Sequence, residues 1–271
     1  MAAEIDDLSA LAGDDREAVR TFLLALADDE LVVAERYTEW QVRSPTLESD
    51  IALSNIAQDE LGHARLWYDL VQRFGDDETD LIWERDPGDF RHSTLVELPF
   101  GEGDWADAIV RHYLYDVAED VRLHALEESS VGPIRDRVGK VIEEEDYHLD
   151  HAHSWLERLV GDEEGRERVQ SALDRLVPYA VTLFAPTDVD DGIDDLGVRT
   201  ATRSEMREEW LTRVEGTLEG MGLDVPAAEQ DVPVGRDTEH TDHWPRLHDE
   251  MTETYRHLER DSATLIMDPE Q

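Results

Sequence analysis

Two stretches of this chain set a glutamate and a histidine, three residues apart, into an otherwise apolar helical stripe. In the first, Leu53, Ile56, Glu60, His63, Trp67 and Leu70 recur at alternating steps of three and four. In the second, Val138, Val141, Glu145, His148, Ala152 and Trp155 keep the same steps. That period is one face of an α-helix, the face turned to a core. A carboxylate or imidazole held there costs several kcal/mol unless something compensates it. A bound cation is the strongest compensation available.

Each pair has a third acid at a matched distance. Glu30 interrupts the stripe Leu23, Leu26, Val33, Tyr37 and Trp40, and Asp116 lies among Ile109, Tyr113 and Val117. Glu119 and Asp120 make the Asp116 stripe less clean, and the sequence leaves open whether Glu119 replaces or supplements Asp116. Glu60 and Glu145 are 85 residues apart, as are His63 and His148, while Glu30 and Asp116 are 86 apart. The set therefore occurs twice at nearly one offset. This is the layout of a pseudo-two-fold bundle with one carboxylate from each of two helices and a Glu-x-x-His from each of the other two. Bridging carboxylates offset the repulsion of two neighbouring metal ions. Oxygen and nitrogen ligands without sulfur suit iron or manganese. The alternative is a metal-free layer in which the same groups hydrogen-bond one another.

The rest of the pattern is helical. Helices are expected over about 15–40, 47–74, 104–128 and 134–160, with an irregular connection over 75–103. A fifth, over 164–183, is expected to kink or break near Pro178. An acidic loop follows over 185–202, then helices over 203–221 and 245–260. Two short links around one long crossover are the connectivity of a ferritin-like bundle. The expectation is one all-α, ferritin-like domain, with a core bundle over about 15–160 and a helical extension over about 163–262.

The chain has 271 residues, of which 67 are acidic and 25 are Lys or Arg, a formal charge of −42. Lys140 is the single lysine. Such a surface repels nucleic acid and anionic lipid, so neither is expected as a partner. Acid enrichment with lysine nearly absent reads as adaptation to a salt-rich cytoplasm; an acidic face for one basic partner is the other reading. There is no Cys, which removes disulfides, thiol nucleophiles and Cys-ligated clusters. Any redox cycle would then draw its electrons from another protein. Residues 1–7 carry no basic or apolar run, and no stretch is long enough to span a membrane, so a cytoplasmic location is expected.

Other polar residues read as follows. Asp59 and Glu144 adjoin the ligand candidates and either support them from outside or face solvent. His151 and His153 read as solvated, and His240 and His243 as packing or interface residues. Tyr37 and Tyr113 read as core. Arg199, Arg203 and Arg207, at four-residue steps, are candidates for binding a phosphate.

Several stretches carry a family resemblance. Asp29-Glu30-Leu31, Arg43-Ser44-Pro45-Thr46-Leu47 and Gln58-Asp59-Glu60-Leu61-Gly62-His63-Ala64-Arg65 are similar to the phenylacetyl-CoA epoxidase (phenylacetate-CoA oxygenase) subunits. So are residues 106–118, Tyr147-His148, Ser154-Trp155-Leu156-Glu157-Arg158-Leu159 and His240-Thr241-Asp242-His243. The resemblance covers about residues 20–260. Length and the Trp155 and His240 regions resemble the PaaC type, generally a structural subunit that has lost ligands. Yet all six positions of the catalytic type are filled here, by Glu30, Glu60, His63, Asp116, Glu145 and His148. The resemblance implies a subunit of a multicomponent monooxygenase with a di-iron site. Glu60 and Glu145 would bridge, His63 and His148 would bind one ion each, and Glu30 and Asp116 would be terminal. It also implies catalytic and accessory partner subunits in a hetero-oligomer, and NADPH acting only through a separate reductase. One oxygen atom would reach the aromatic ring of phenylacetyl-CoA as an epoxide and the other would leave as water. A scaffold without metal and a ferritin-like iron or peroxide handler are the competing expectations.

Overall fold

A computed structural model describes residues 4–100, 103–227 and 231–257. The helices are α1 (Gly13–Thr38), α2 (Leu47–Gln72), α3 (Thr94–Glu97), α4 (Trp105–His124), α5 (Gly132–Leu159), α6 (Glu163–Ala180), α7 (Asp190–Leu196), α8 (Arg203–Gly220) and α9 (His243–His257). Among the described residues the one β feature is an isolated bridge between Ile5 and Val131.

Side-chain caps mark the starts of α2, α4, α6 and α8. Thr46 accepts from Ser49 N at the head of α2, and Asp104 and Thr202 form reciprocal capping boxes with Asp107 and Glu205 on α4 and α8. α1 packs along α2, α4 along α5, and α2 against α5. α1 meets α4 through side chains, as where Tyr37 Oη lies 2.8 Å from His112 Nδ1. This closes a four-helix bundle with a short link inside each pair and a long crossover between them, the connectivity of a ferritin-like fold. α6 and α8 lie on α4, and α7 lies on α1. No helix of the described residues is long and apolar enough to cross a membrane.

Several boundaries differ from the sequence expectation. α1, α2 and α4 end two to four residues early, each in a tight turn. Gly132 and Pro133 belong to the first turn of α5 rather than stopping the helix before it. Proline is tolerated there because its missing N–H has no intrahelical partner to lose. Pro178 does not break α6, which runs on to Ala180 and tightens into a 3-10 turn over Val181–Phe184. The 185–202 segment is no plain loop, since it contains α7. α9 starts at His243, and residues 258–260 of the expected last helix lie outside the described residues.

The crossover is a folded layer rather than an open loop. It contains a π turn (Thr79–Trp83), a 3-10 turn (Pro87–Asp89) and α3. His92, Ser93, Thr94, Leu95, Val96 and Glu97 are completely buried. A buried connection must find partners for its backbone, and α1 with the residue that follows it supplies several. Asp28 accepts from Arg91 N at 2.7 Å, Asp29 from Ser93 N at 2.7 Å, and Glu39 from Phe100 N at 2.9 Å. The C-terminal segment closes over this layer. Gly235 sits so near it that an added Cβ would lie 2.4 Å from His92 O, so only glycine fits.

Candidate metal centre

The two Glu-x-x-His pairs face each other across the α2–α5 contact. Glu60, His63, Glu145 and His148 are all fully buried, and the two imidazole centroids are 6.2 Å apart. Each imidazole turns Nδ1 inward and Nε2 outward. His63 Nδ1 is 3.5 Å from Glu60 Oε2 and 3.3 Å from Glu145 Oε1. His148 Nδ1 is 3.1 Å from Glu145 Oε1 and 3.6 Å from Glu60 Oε1. The outward nitrogens reach Glu144, 2.9 Å from His63, and Asp59, 3.4 Å from His148. An Nε2–H donated to a carboxylate leaves the Nδ1 lone pair facing inward, the arrangement that orients a metal-binding histidine.

Glu60 and Glu145 thus lie between the two imidazoles. Glu30, on α1, groups with Glu60 and His63, each offering one atom within 4.8 Å of the others; Glu60, Glu145 and His148 form a second such group. Tyr115 Oη donates to Glu30 Oε2 at 3.1 Å. Asp116 is fully buried but belongs to neither group. Its Oδ2 is 3.1 Å from His112 Nδ1. Its side chain is one methylene shorter than that of Glu30, its counterpart in the other half. Glu119 is also fully buried and is held by Arg122.

The donor set fits metal on a direct observation. Glu30 Oε1, both oxygens of Glu60, Asp116 and Glu145, and Nδ1 of His63 and His148 are buried without a hydrogen-bond partner. Buried polar atoms in folded proteins are otherwise nearly always paired.

Without metal, protons hold the charge. Burial alone would lower both imidazoles, but the Glu145 and Glu60 carboxylates outweigh it and hold His63 at about 10 and His148 at about 12. Burial would raise Glu145, yet the two imidazoles bring it down to about 2. Burial, with Glu119 and Glu60 nearby, pushes Glu30 well above the carboxylate range, and burial with Glu145 does so for Asp116. Metal needs the Nδ1 lone pairs, and the Glu145 and Glu60 carboxylates favour the protonated imidazoles at neutral pH. Loading at pH 7 should therefore release at least about two protons per chain, and apparent affinity should rise with pH. Calorimetry in buffers of different ionisation enthalpy checks this; a heat independent of the buffer would contradict it.

The remaining sequence candidates separate clearly. Asp59 and Glu144 are the outward partners of the histidines. The His151 ring packs edge-on against His112, 5.5 Å away, and is partly buried rather than solvated. His153 is largely exposed, and His240 is held by Glu97 against the stacked ring of His92. Tyr37 and Tyr113 are buried, as expected. His112 is not among the sequence candidates, although its i,i+4 spacing from Asp116 is a signal.

The fold and site define a helical-bundle protein with a carboxylate- and histidine-lined core. The family profile of the phenylacetic acid catabolic proteins matches residues 1–262, and the chain belongs to that family. Two components of the 1,2-phenylacetyl-CoA epoxidase of Escherichia coli (strain K12) are similar to it. The identity to the C-type subunit is 32% over 226 residues, 82% of this chain and 90% of that protein. The identity to the A-type subunit is 26% over 205 residues, 74% of this chain and 66% of that protein.

Proposed function

We propose that this chain is a subunit of a phenylacetyl-CoA epoxidase and that its core holds two carboxylate-bridged iron ions. The carrying observation is the set of buried donor atoms without a hydrogen-bond partner on Glu30, Glu60, His63, Asp116, Glu145 and His148. Glu60 and Glu145 would bridge, His63 and Glu30 would complete one position, and His148 and Asp116 the other. Two irons bound there would supply dioxygen activation, with electrons delivered from NADPH by a separate reductase. The protein's part is positional. Glu144 and Asp59 fix the imidazole rings, and the apolar residues Ile56, Trp67, Val138 and Val141 of the same stripes keep water out. Catalytic and accessory subunits are the proposed partners, and a salt-rich cytoplasm the proposed setting.

The higher identity to the C-type relative favours a second reading, a scaffold that assembles with a separate catalytic subunit. One experiment separates the two. The complex is assembled with its partner subunits and reductase, either with this chain intact or with Glu60→Leu and His63→Leu together. Loss of epoxide formation by about 100-fold or more, with assembly retained, is expected if the site works. Unchanged turnover would leave the scaffold reading.

A further inference from the structure

Four arginines line one cavity in a chain dominated by acids. The cavity lies among α1, α4, α8 and the Gly235–Asp237 turn, and Arg122, Arg199, Arg203 and Arg236 border it together with Leu26 and Met206. The chain's own carboxylates only partly satisfy these groups. Asp29 is shared by Arg122 and Arg236, and Asp190 by Arg199 and Arg203. Asp194 takes Arg199 Nε at 2.7 Å, and Glu119 takes Arg122.

Donors are left over on every one of the four. Arg199 Nη1, Arg122 Nε and Arg236 Nε are buried without a hydrogen-bond partner. Arg203 bonds to Asp190 through Nε alone, and no hydrogen bond reaches either of its Nη atoms from the described residues. Arg199 and Arg236 are 6% and 2% exposed, so water at the protein surface does not serve Arg199 Nη1 or Arg236 Nε, whereas Arg203 is partly buried. Burial, with a smaller contribution from the neighbouring Arg236, pushes the Arg203 guanidinium down to about 10. A buried charged donor without a partner is costly, and an anion would satisfy several at once.

The geometry points to a second ligand site, in which this cavity binds one small monovalent anion, a halide or a carboxylate head group, on Arg199 and Arg203. Size sets the class. The cavity volume is about 20 Å³, enough for one water or a halide. Leu26 and Met206 make part of the wall apolar, which suits a weakly hydrated monoanion better than a phosphate dianion. Arg207, four residues past Arg203, does not line the cavity, so it serves as an internal control.

The test uses the full chain and compares Tm in chloride, bromide, acetate and gluconate salts at equal ionic strength, gluconate being too bulky to enter. A saturable rise of about 4–8 °C over gluconate is expected at roughly thirty times Kd. Arg203→Gln should abolish the rise and Arg207→Gln should keep it. A rise with halides alone identifies a halide site, and a rise with acetate alone a carboxylate site. Crystals soaked in bromide should show an anomalous peak at hydrogen-bond distance from Arg199 and Arg203, which needs no variant to fold. No saturable rise and no peak would mean that water fills the cavity, and an equal rise in Arg203→Gln would place any anion elsewhere; either result overturns the proposal.

Discussion

Replacing Asp29 by alanine should cost about 4–6 kcal/mol of folding free energy, among the largest losses available to a single substitution here. Asp29 is completely buried. Its Oδ2 takes Arg122 Nη1 at 2.6 Å and also Arg236 Nη2, and its Oδ1 accepts from Ser93 N at 2.7 Å. One carboxylate thus joins α1 to α4, to the crossover and to the C-terminal segment. Burial would raise its pKa, yet Arg236 and Arg122 hold it below the usual range. Removing one partner of a buried ion pair costs about 3–5 kcal/mol because the other charge stays buried. Here Arg236 would be left with the carbonyls of Ala25 and Arg91 and no carboxylate among the described residues, Arg122 would keep Glu119 alone, and the orphaned Ser93 N–H adds to the loss. Asp29→Asn keeps an acceptor for Ser93 and should fall between alanine and wild type. Denaturant unfolding in high-salt buffer measures all three. A loss under about 1 kcal/mol for Asp29→Ala would show that the network is dispensable.

Glu60→Ala should reduce metal content from two ions per chain to near zero, whereas Glu30→Ala should leave about one. The difference lies in the geometry. Glu60 is the residue common to both three-residue groups, with one oxygen 3.5 Å from His63 Nδ1 and the other 3.6 Å from His148 Nδ1. Glu30 belongs to one group alone. Both residues are buried carboxylates on helices that pack through other side chains, so the fold should survive either change. Metal analysis after anaerobic loading, with circular dichroism as the folding control, reads the result. Equal losses from the two variants would contradict the bridging role of Glu60.

The bundle and most of the site can be read from the sequence because helical periodicity alone sets them. Glu60 with His63, and Glu145 with His148, interrupt stripes that must face a core, and the 85-residue offset pairs the two halves. The rest depends on contacts that periodicity does not carry. Asp28 and Asp29 lie off the stripe of Glu30, and spacing does not show that the crossover covers them. Their partners are distant: Arg122 is 93 residues from Asp29 and Arg236 is 207 away. The crossover has the look of a loop because its Pro and Gly residues break periodicity; its burial depends on those same acids. Asp116 falls at the matching position, but spacing does not show that it stands apart from both groups, 3.1 Å from His112 Nδ1. Arg199 and Arg203 stand out as a helical step, while Arg122 and Arg236 join them only in the folded chain.

The most direct test is the iron content of the purified chain, loaded with ferrous iron under argon in high-salt buffer. Close to two irons per chain is expected if Glu30, Glu60, His63, Asp116, Glu145 and His148 form a dinuclear site. Near zero would contradict the central claim: the buried donors would then be a metal-free polar layer, and the chain would be the scaffold of its complex.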